Sequence, residues 1–212
     1  MKLPPLILAS ASPRRAELLR ECGLEFSVIT SSAEELAHEH LSPRELCQLN
    51  SHRKARAVAK RFPDALVLAA DTLVFQGRQI LGKPASRQKA VEMLMQLQGR
   101  THQVVTGVIL LQLRTHRESM FAVCTDVKFR KLSRGDVEAY LRKINPLDKA
   151  GAYAIQEHGD MIVETISGSY TNVVGLPLER LQEELRAWDS GVRGARGVRA
   201  NSSACGDTRA RA

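Results

Sequence analysis

Residues 65–70 form an uninterrupted apolar run, Ala-Leu-Val-Leu-Ala-Ala, which ends in Asp71 and Thr72. A run this short between turn signals favours a buried strand over a helix, which needs about ten residues or more. Strand-like and helix-like patterns alternate along the chain, and two long strand patterns follow each other at residues 102–113 and 119–132. Alternating strands and helices with one long hairpin predict an α/β fold with a mixed sheet.

Serines mark the starts of four of the five predicted helices. Ser12 precedes Pro13, and Ser42 and Glu45 have the spacing of a capping box; both patterns are typical of helix N-termini. The predicted helices cover residues 12–23, 42–62, 86–99, 133–143 and 178–188, and the shorter strands cover residues 6–9, 26–30, 73–75, 79–81 and 161–165. On the second helix we expect the buried residues to be Leu46, Leu49, Val58, Ala59 and Phe62.

The composition is that of a globular protein, with 43% apolar and 25% charged residues. The apolar runs are far shorter than the ~20 residues that span a bilayer, and the amino terminus resembles a first strand more than a signal peptide. Four cysteines, at positions 22, 47, 124 and 205, have no paired spacing. This pattern argues against a zinc site or a disulfide framework and favours a reducing compartment, the cytoplasm.

The formal charge of +8 is unevenly distributed along the chain. Residues 189–212 contain five arginines and two aspartates, a net +3, without any apolar periodicity. We therefore expect one domain over residues 1–188 and a basic, disordered tail over residues 189–212. The charge admits an RNA-binding interpretation, but only 4% of residues are aromatic, whereas single-strand binding uses aromatic side chains for base stacking. We expect no nucleic-acid partner.

A cluster of donors follows the first predicted strand: Ser10, Ser12, Arg14 and Arg15. These residues lie at a helix N-terminus, where free backbone N–H groups and the helix dipole favour an anion. Two hydroxyls and two guanidinium groups add further donors, so this loop is a candidate phosphate site. The same residues also fit an ordinary helix cap followed by solvated arginines.

Carboxylates follow two of the predicted strands. Asp71 comes directly after the apolar run, and in open α/β sheets ligands gather beyond the carboxyl ends of strands. Glu34 and Glu35 follow the second strand and would share that crevice if the strand is parallel to its neighbours. Such oxygens suit Mg²⁺. The alternatives are a solvated aspartate that caps a turn with Thr72 and a pair of surface glutamates.

Three lysines are further candidates. Lys54 lies on the second predicted helix near Arg53, where a solvated basic face is the usual explanation. Lys83 lies between a glycine and a proline in a loop, and this makes it a stronger candidate than Lys54. Lys149 belongs to residues 148–156, which mix charges, small residues and a tyrosine without helical or strand periodicity and also fit a structural loop.

Taken together, segments of this chain resemble the Maf family of nucleotide pyrophosphatases from about residue 6 to residue 185. The segments are Leu8-Ala9-Ser10-Ala11-Ser12-Pro13-Arg14-Arg15, Ala70-Asp71-Thr72, Gly82-Lys83-Pro84, Asp148-Lys149-Ala150-Gly151-Ala152-Tyr153, Ile155-Gln156 and Asn172-Val173-Val174-Gly175-Leu176-Pro177-Leu178. The resemblance implies a two-lobed fold like that of inosine triphosphate pyrophosphatases, with a mixed twisted sheet and a central nucleotide cleft, often in a homodimer. It also implies hydrolysis of a nucleoside triphosphate to the monophosphate and pyrophosphate with a divalent metal, usually Mg²⁺, with Mn²⁺ as the alternative.

The resemblance also assigns roles to individual residues. Asp71 matches the catalytic aspartate, which acts as general base on water or holds the metal-bound water. The residues that match the phosphate-binding loop are Ser10, Ser12, Arg14 and Arg15. The residues that match charged positions for metal or polyphosphate are Glu35, Lys54, Lys83 and Lys149, with Glu35 and Asp71 as the metal ligands.

Three positions distinguish subgroups of the family. Arg14, Thr72 and Gln156 resemble the subgroup that acts on dTTP and UTP, whereas the 7-methyl-GTP subgroup has tryptophan, glutamine and glutamate there. A neutral amide offers both a donor and an acceptor to a uracil or thymine edge, whereas a carboxylate offers acceptors only. The residues that depart from the family pattern are Ala154, Glu157, Asn50 and Arg53.

The sequence therefore predicts a pyrophosphatase that acts on dTTP, UTP or modified pyrimidine nucleotides and has a house-cleaning role. One alternative is a nucleotide-binding regulator of septum formation with weak catalysis, and another is a 7-methyl-GTP pyrophosphatase. The presence of Asp71, Lys83 and Lys149 favours catalysis over regulation alone.

Overall fold

The computed structural model describes residues 3–38 and 40–190 of the chain. These residues form two compact units. The described part of the first unit contains residues 3–38, 40–73, 105–123 and 169–190, and that of the second contains residues 74–104 and 124–168. The predicted tail lies outside the described residues from position 191 onward. Within the described part, no helix has the length and apolar character needed to cross a membrane.

The strands are β1 (Leu6–Leu8), β2 (Ser27–Val28), β3 (Leu66–Gln76), β4 (Gln79–Leu81), β5 (Thr101–Gln112), β6 (Arg117–Phe129) and β7 (Val163–Ser167). Their order in the sheet is β2-β1-β3-β5-β6-β7, and β4 pairs with β3. In the first unit, β1 is parallel to both β2 and β3, with Leu8 opposite Val28 and Leu68. In the second unit, β4 is antiparallel to β3 and β7 is antiparallel to β6. The predicted mixed sheet is confirmed.

The helices are α1 (Pro13–Glu21), α2 (Pro43–Ala59), α3 (Arg87–Leu97), α4 (Arg134–Lys143), α5 (Tyr170–Val174) and α6 (Leu178–Asp189). The predicted capping box at the start of α2 is present: the Ser42 hydroxyl accepts from the Glu45 N–H, and the Glu45 carboxylate accepts from the Ser42 N–H. Ser86 and Ser133 cap α3 and α4 in the same way through their hydroxyls. Short polar side chains thus set these helix boundaries, as the sequence predicted.

In the first unit, α2 packs on the sheet through small and β-branched side chains. The core cluster there includes Ile7, Ala9, Ala55, Val58, Ala59, Val67, Ala69 and Ile109. Gly107 of β5 allows the close approach of this helix, because a Cβ at that position would lie 2.6 Å from the backbone carbon of Cys47. The same approach brings the polar residues of α2 to the side chains of β3.

In the second unit, β3 and β4 form the predicted hairpin. Gln76 is paired with Gln79, and Gly77 in the turn has a φ of 59°, a conformation that glycine adopts without steric cost. Helix α3 packs against α4. In the same unit, the rings of His102, Phe129 and Tyr153 make edge-to-face contacts with centroids 4.8 to 5.4 Å apart.

Several sequence-based expectations about the elements were wrong. Leu49 is 37% exposed, because the buried stripe of α2 runs through Cys47, Ser51, Ala55 and Val58 instead. The Ser12 side chain makes no capping hydrogen bond at the start of α1. Strand β2 covers only two residues, and the short helix α5 was not predicted.

Candidate active site

Asp71 lies near the middle of β3, with its side chain 6% exposed. The strand continues past it because Val74 and Phe75 are strand-forming residues that are again buried. The prediction that Asp71 follows the end of a strand is therefore wrong, and so is the alternative of a solvated turn residue. A carboxylate buried this deeply requires polar partners.

Both partners come from helix α2. The Lys54 ammonium donates to Asp71 Oδ1 at 2.6 Å, and the Asn50 amide Nδ2 donates to Asp71 Oδ2 at 3.3 Å. Positions 50 and 54 are one helical turn apart and share a face of the helix. The two oxygens of Asp71 are thus held by one face of one helix.

Lys54 also binds the second predicted carboxylate. Its Nζ lies 2.7 Å from Glu35 Oε1, so one ammonium lies between two carboxylates. The Lys54 side chain is only 13% exposed, whereas that of Glu35 is 56% exposed. The explanation of Lys54 as part of a solvated basic face is therefore wrong. Glu34 beside it is exposed.

The loop that carries Glu35 reaches this place because β2 is parallel to β1. Parallel strands end at the same edge of a sheet, and Glu35 was expected near Asp71 if β2 is parallel to its neighbours. Asn50 then holds the loop: its Oδ1 accepts from the Leu36 N–H at 2.8 Å, and its Nδ2 donates to the Leu36 carbonyl at 3.2 Å. Glu35 and Asp71 thus both contact the ammonium of Lys54.

Arg15 connects the loop after β1 with β3 and α5. Its guanidinium donates to Ser10 Oγ at 3.3 Å, to Thr72 Oγ1 at 2.9 Å and to the Gly175 carbonyl at 2.8 Å. Burial lowers the pKa of Arg15, while the negative charges of Asp71 and Glu35 act in the opposite direction. Arg15 therefore binds other parts of the protein, in addition to any role toward an anion.

The hydrogen bonds of Thr72 have a definite direction. Thr106 Oγ1 donates to the Asn172 carbonyl at 3.1 Å, and Thr72 Oγ1 lies 2.9 Å from Thr106 Oγ1. Because the Thr106 proton is used on Asn172, Thr72 donates its own proton to Thr106 and accepts from Arg15. The Thr72 hydroxyl oxygen can therefore accept a hydrogen bond from a ligand, but its proton is already donated to Thr106.

The serines and arginines of the predicted phosphate loop remain together at the start of α1. The Ser12 backbone N–H donates to Ser10 Oγ at 3.2 Å, so the hydroxyl of Ser10 organises the turn before the helix. Ser10 is buried, whereas Ser12 and Arg14 are half-buried. The loop thus combines hydroxyl, guanidinium and helix N-terminal groups next to Thr72.

The remaining predicted residues belong to the second unit. The Lys149 side chain is 4% exposed, and its ammonium lies 2.8 Å from the Asn145 carbonyl, 3.0 Å from Asp148 and 3.3 Å from Glu157. Lys83 and Gln156 are exposed. The Gly151 N–H donates to the Gly82 carbonyl at 3.1 Å, which links the loop before Lys83 to the loop after Lys149.

The described part of the first unit offers two carboxylates, but no complete set of protein ligands, for a hard divalent cation. The described residues contain no group of three or more His, Cys, Asp or Glu that could hold a metal. Glu35 and Asp71 are two carboxylates that share Lys54. Mg²⁺ commonly binds through one or two carboxylates together with substrate phosphates and water. These two residues therefore fit a metal that arrives with a phosphate ligand.

Two polar residues of this network, Asn50 and Thr106, had no role predicted from the sequence. A helical period of four residues relates Asn50 to Lys54, so the sequence carried a signal for the first. Thr106 is a single hydroxyl within an apolar strand, and nothing in the local pattern indicates that it orients Thr72.

The fold and the buried carboxylate–lysine pair define an α/β protein with a polar site built on its sheet. The Ham1 protein of Staphylococcus aureus has a related structure, with a TM-score of 0.51 over 87% of this chain and 99% of that one, at 18% identity. The expected likeness to the inosine triphosphate pyrophosphatase fold is thus confirmed at the level of fold. More particularly, the chain belongs to the Maf-like protein family, whose model matches residues 5–188.

Curated relatives cover nearly the same range. A protein of Akkermansia muciniphila is 46% identical over 83% of this chain and 92% of its own length. One of Moorella thermoacetica is 48% identical over 85% of this chain and 93% of its own length. Both relatives are named dTTP/UTP pyrophosphatase.

Proposed function

We propose that this chain is a nucleoside triphosphate pyrophosphatase that hydrolyses dTTP and UTP to the monophosphate and pyrophosphate. The observation that carries the proposal is the buried Asp71 held by Lys54 beside Glu35, in a chain of the Maf-like family. Named relatives that are more than 40% identical support the substrate class. We further propose a cytoplasmic enzyme, because no disulfide joins the three described cysteines, Cys22, Cys47 and Cys124, and the homodimer remains a prediction.

In the proposed reaction, a water oxygen attacks the α-phosphorus while the bond from that phosphorus to the bridging oxygen breaks. Asp71 accepts the water proton, directly or through a second water, and pyrophosphate leaves with the bridging oxygen. A base must lie within about 3 Å of the proton that it removes, or within reach of one intervening water. Lys54 binds Asp71 Oδ1 and leaves the opposite side of the carboxylate group to Asn50, so the orientation of the base is set before substrate binds.

We assign Glu35 and Asp71 as the residues that hold a divalent cation, Mg²⁺ or Mn²⁺. When bound with the triphosphate, such an ion polarises phosphate oxygens and stabilises the charge that develops on them. When no divalent cation is bound, the Lys54 ammonium supplies the positive charge next to both carboxylates. Lys54 thereby offsets the repulsion between the Glu35 and Asp71 carboxylates in the protein without metal or nucleotide.

The phosphates are assigned to Ser10, Ser12, Arg14 and Arg15 of the first unit and to Lys54, Lys83 and Lys149 as further cationic positions. At the start of α1 the Ser10 hydroxyl accepts from the Ser12 N–H and from the Arg15 guanidinium, and this convergence supports the first set. The exposure of Lys83 leaves its ammonium accessible to an anion. Lys149 is surrounded by acceptors of its own loop, so we assign it to holding that loop as well as to charge neutralisation.

We assign substrate specificity to Arg14, Thr72 and Gln156. The Thr72 hydroxyl offers an acceptor, because its proton is directed at Thr106. Uracil and thymine present an N–H donor at N3, whereas cytosine presents an acceptor there. If the base binds with its N3 edge toward Thr72, the acceptor there favours uracil and thymine over cytosine.

The test is pyrophosphate release from a panel of nucleoside triphosphates with Mg²⁺ or Mn²⁺. We expect turnover of dTTP and UTP and much slower turnover of dCTP, dATP and 7-methyl-GTP. Nucleotide binding without pyrophosphate release from any member would contradict the proposal and would favour the regulator. Preference for 7-methyl-GTP would contradict the assigned specificity alone.

A further inference from the structure

Asn50 is a buried polar residue that joins three parts of the site. It is 3% exposed and lies on α2, one turn before Lys54. Its Oδ1 accepts from the Leu36 N–H at 2.8 Å, and its Nδ2 donates to the Leu36 carbonyl at 3.2 Å and to Asp71 Oδ2 at 3.3 Å. A primary amide has two N–H donors and one carbonyl acceptor, so all of these bonds form at the same time.

No other short side chain reproduces this pattern. The position needs an acceptor for the Leu36 N–H and a donor for a carboxylate, and an amide alone combines both at this length. Aspartate retains the acceptor but brings a second negative charge to Asp71. Leucine has nearly the same shape and makes none of the three bonds.

Leu36 directly follows Glu35 in the chain. The two bonds from Asn50 to the Leu36 backbone therefore hold the peptide next to the exposed carboxylate. This segment, residues 29–38, contains no helix or strand, so its conformation depends on bonds of this kind. Lys54 links the two carboxylate side chains through their charges, and Asn50 links the Glu35 backbone to the Asp71 side chain.

We propose that Asn50 is a positioning residue that fixes the Glu35 loop and the Asp71 carboxylate relative to each other. The proposal rests on the proposed function, because the distance between two metal-binding carboxylates matters only in a reaction that uses both. Asn50 is buried and acts through Asp71 and the backbone next to Glu35. Residues that hydrogen-bond to metal ligands orient those ligands, and their loss typically lowers activity or metal affinity by about 10- to 100-fold. We assign this orienting role to Asn50.

The test compares Asn50→Leu and Asn50→Asp with Ser51→Ala as the matched control. Ser51 is the next residue of α2 and is fully buried, and its hydroxyl donates to the Gln48 carbonyl of its own helix. Two measurements are made on the full chain: exchange of the Leu36 amide hydrogen, without nucleotide or metal, and steady-state kinetics with dTTP.

For Asn50→Leu we expect faster exchange of the Leu36 amide, together with a fall in kcat of about 10- to 100-fold and a smaller change in KM. For Asn50→Asp we expect the exchange to stay closer to that of the unmodified protein, because the acceptor for Leu36 remains, while kcat falls as strongly. The aspartate variant also keeps the test valid if the leucine variant does not fold. Ser51→Ala should change neither measurement.

Unchanged kcat in both Asn50 variants would overturn the proposal, as would unchanged exchange of Leu36 in Asn50→Leu. An equal loss in Ser51→Ala would also overturn it, because the effect would then belong to α2 as a whole. If the unmodified chain releases no pyrophosphate, the proposed function fails. Exchange of the Leu36 amide still reports whether Asn50 holds the loop.

Discussion

Lys54 and Asp71 form an ion pair of 2.6 Å between the polar face of α2 and the middle of β3, with side chains that are 13% and 6% exposed. Both side chains are therefore largely removed from solvent, whereas Glu35, the other carboxylate partner of Lys54, is 56% exposed. Ion pairs of this kind are costly to break, because removal of one member leaves the other charge buried without a partner.

Replacement of Asp71 by asparagine should abolish turnover and leave the fold largely intact. The amide keeps the size of the side chain but cannot accept a proton from water, and general-base catalysis typically contributes about 10²- to 10⁴-fold. Pyrophosphate release and circular dichroism measure the two expected effects. Near-normal activity of this variant would refute the assignment of Asp71.

Replacement of Lys54 by methionine should destabilise the protein by about 3 kcal/mol, because the Asp71 carboxylate then lacks its ionic partner. The double variant Lys54→Met with Asp71→Asn should recover part of the loss, since the unpaired charge is gone. Urea denaturation of the two single variants and the double variant gives the coupling energy. Additive losses in the double variant would contradict a direct interaction.

Replacement of Gly107 by alanine should lower both stability and activity. The new Cβ would lie 2.6 Å from the Cys47 backbone carbon, so α2 must move away from β5 and carry Asn50 and Lys54 with it. Overpacking of this type costs about 1 to 3 kcal/mol. Gly135→Ala is the control, because its Cβ would meet only the Ser133 hydroxyl, at 3.6 Å. Equal stability and turnover of the two variants would show that the close approach is unimportant.

The folded protein should lose stability between about pH 6.5 and pH 4 through His102. Burial lowers the pKa of His102 to about 4. The unfolded chain therefore binds a proton in this interval that the folded chain does not, so the free energy of unfolding falls as the pH decreases. The full effect is about 3 kcal/mol below pH 4.

His102→Gln provides the comparison for this pH dependence. Glutamine does not titrate, so the free energy of unfolding of the variant should change less across the same interval than that of the unmodified protein. Denaturation curves at pH 7, 6, 5 and 4 measure it. Identical pH profiles of the two proteins would contradict the role of His102, whose Nε2 lies 2.8 Å from the buried Tyr153 hydroxyl.

The triple variant with Arg14→Trp, Thr72→Gln and Gln156→Glu should lose activity on dTTP and UTP and gain activity on 7-methyl-GTP. Glutamate offers only acceptors and a negative charge, which suit a cationic methylated base. The single variant Thr72→Gln should already reduce pyrimidine turnover, because Arg15 and Thr106 both bind the Thr72 hydroxyl. Unchanged selectivity in the triple variant would refute the specificity assignment.

Local patterns predicted most of the secondary structure correctly. The capping box at Ser42, the serine caps of α3 and α4 and the glycine turn of the β3–β4 hairpin each depend on residues that are neighbours in sequence. Predictions that depended on packing were less accurate. The sequence interpretation ended a strand at Asp71 because a charged residue follows an apolar run, but α2 supplies the partners that allow β3 to continue.

The amino-acid sequence by itself determined the alternation of elements, the helix boundaries and the set of polar residues that resembles the Maf family, because these are local patterns or matches of residue type in order. Only the tertiary structure decided that Lys54 is buried between Glu35 and Asp71, that Arg15 bonds to Ser10, Thr72 and Gly175, and that Asn50 connects the Glu35 loop to β3. Apart from the bond between Arg15 and Ser10, these contacts join residues 14 to 160 positions apart. Their distances follow from the packing of a helix on a sheet, which no local pattern encodes.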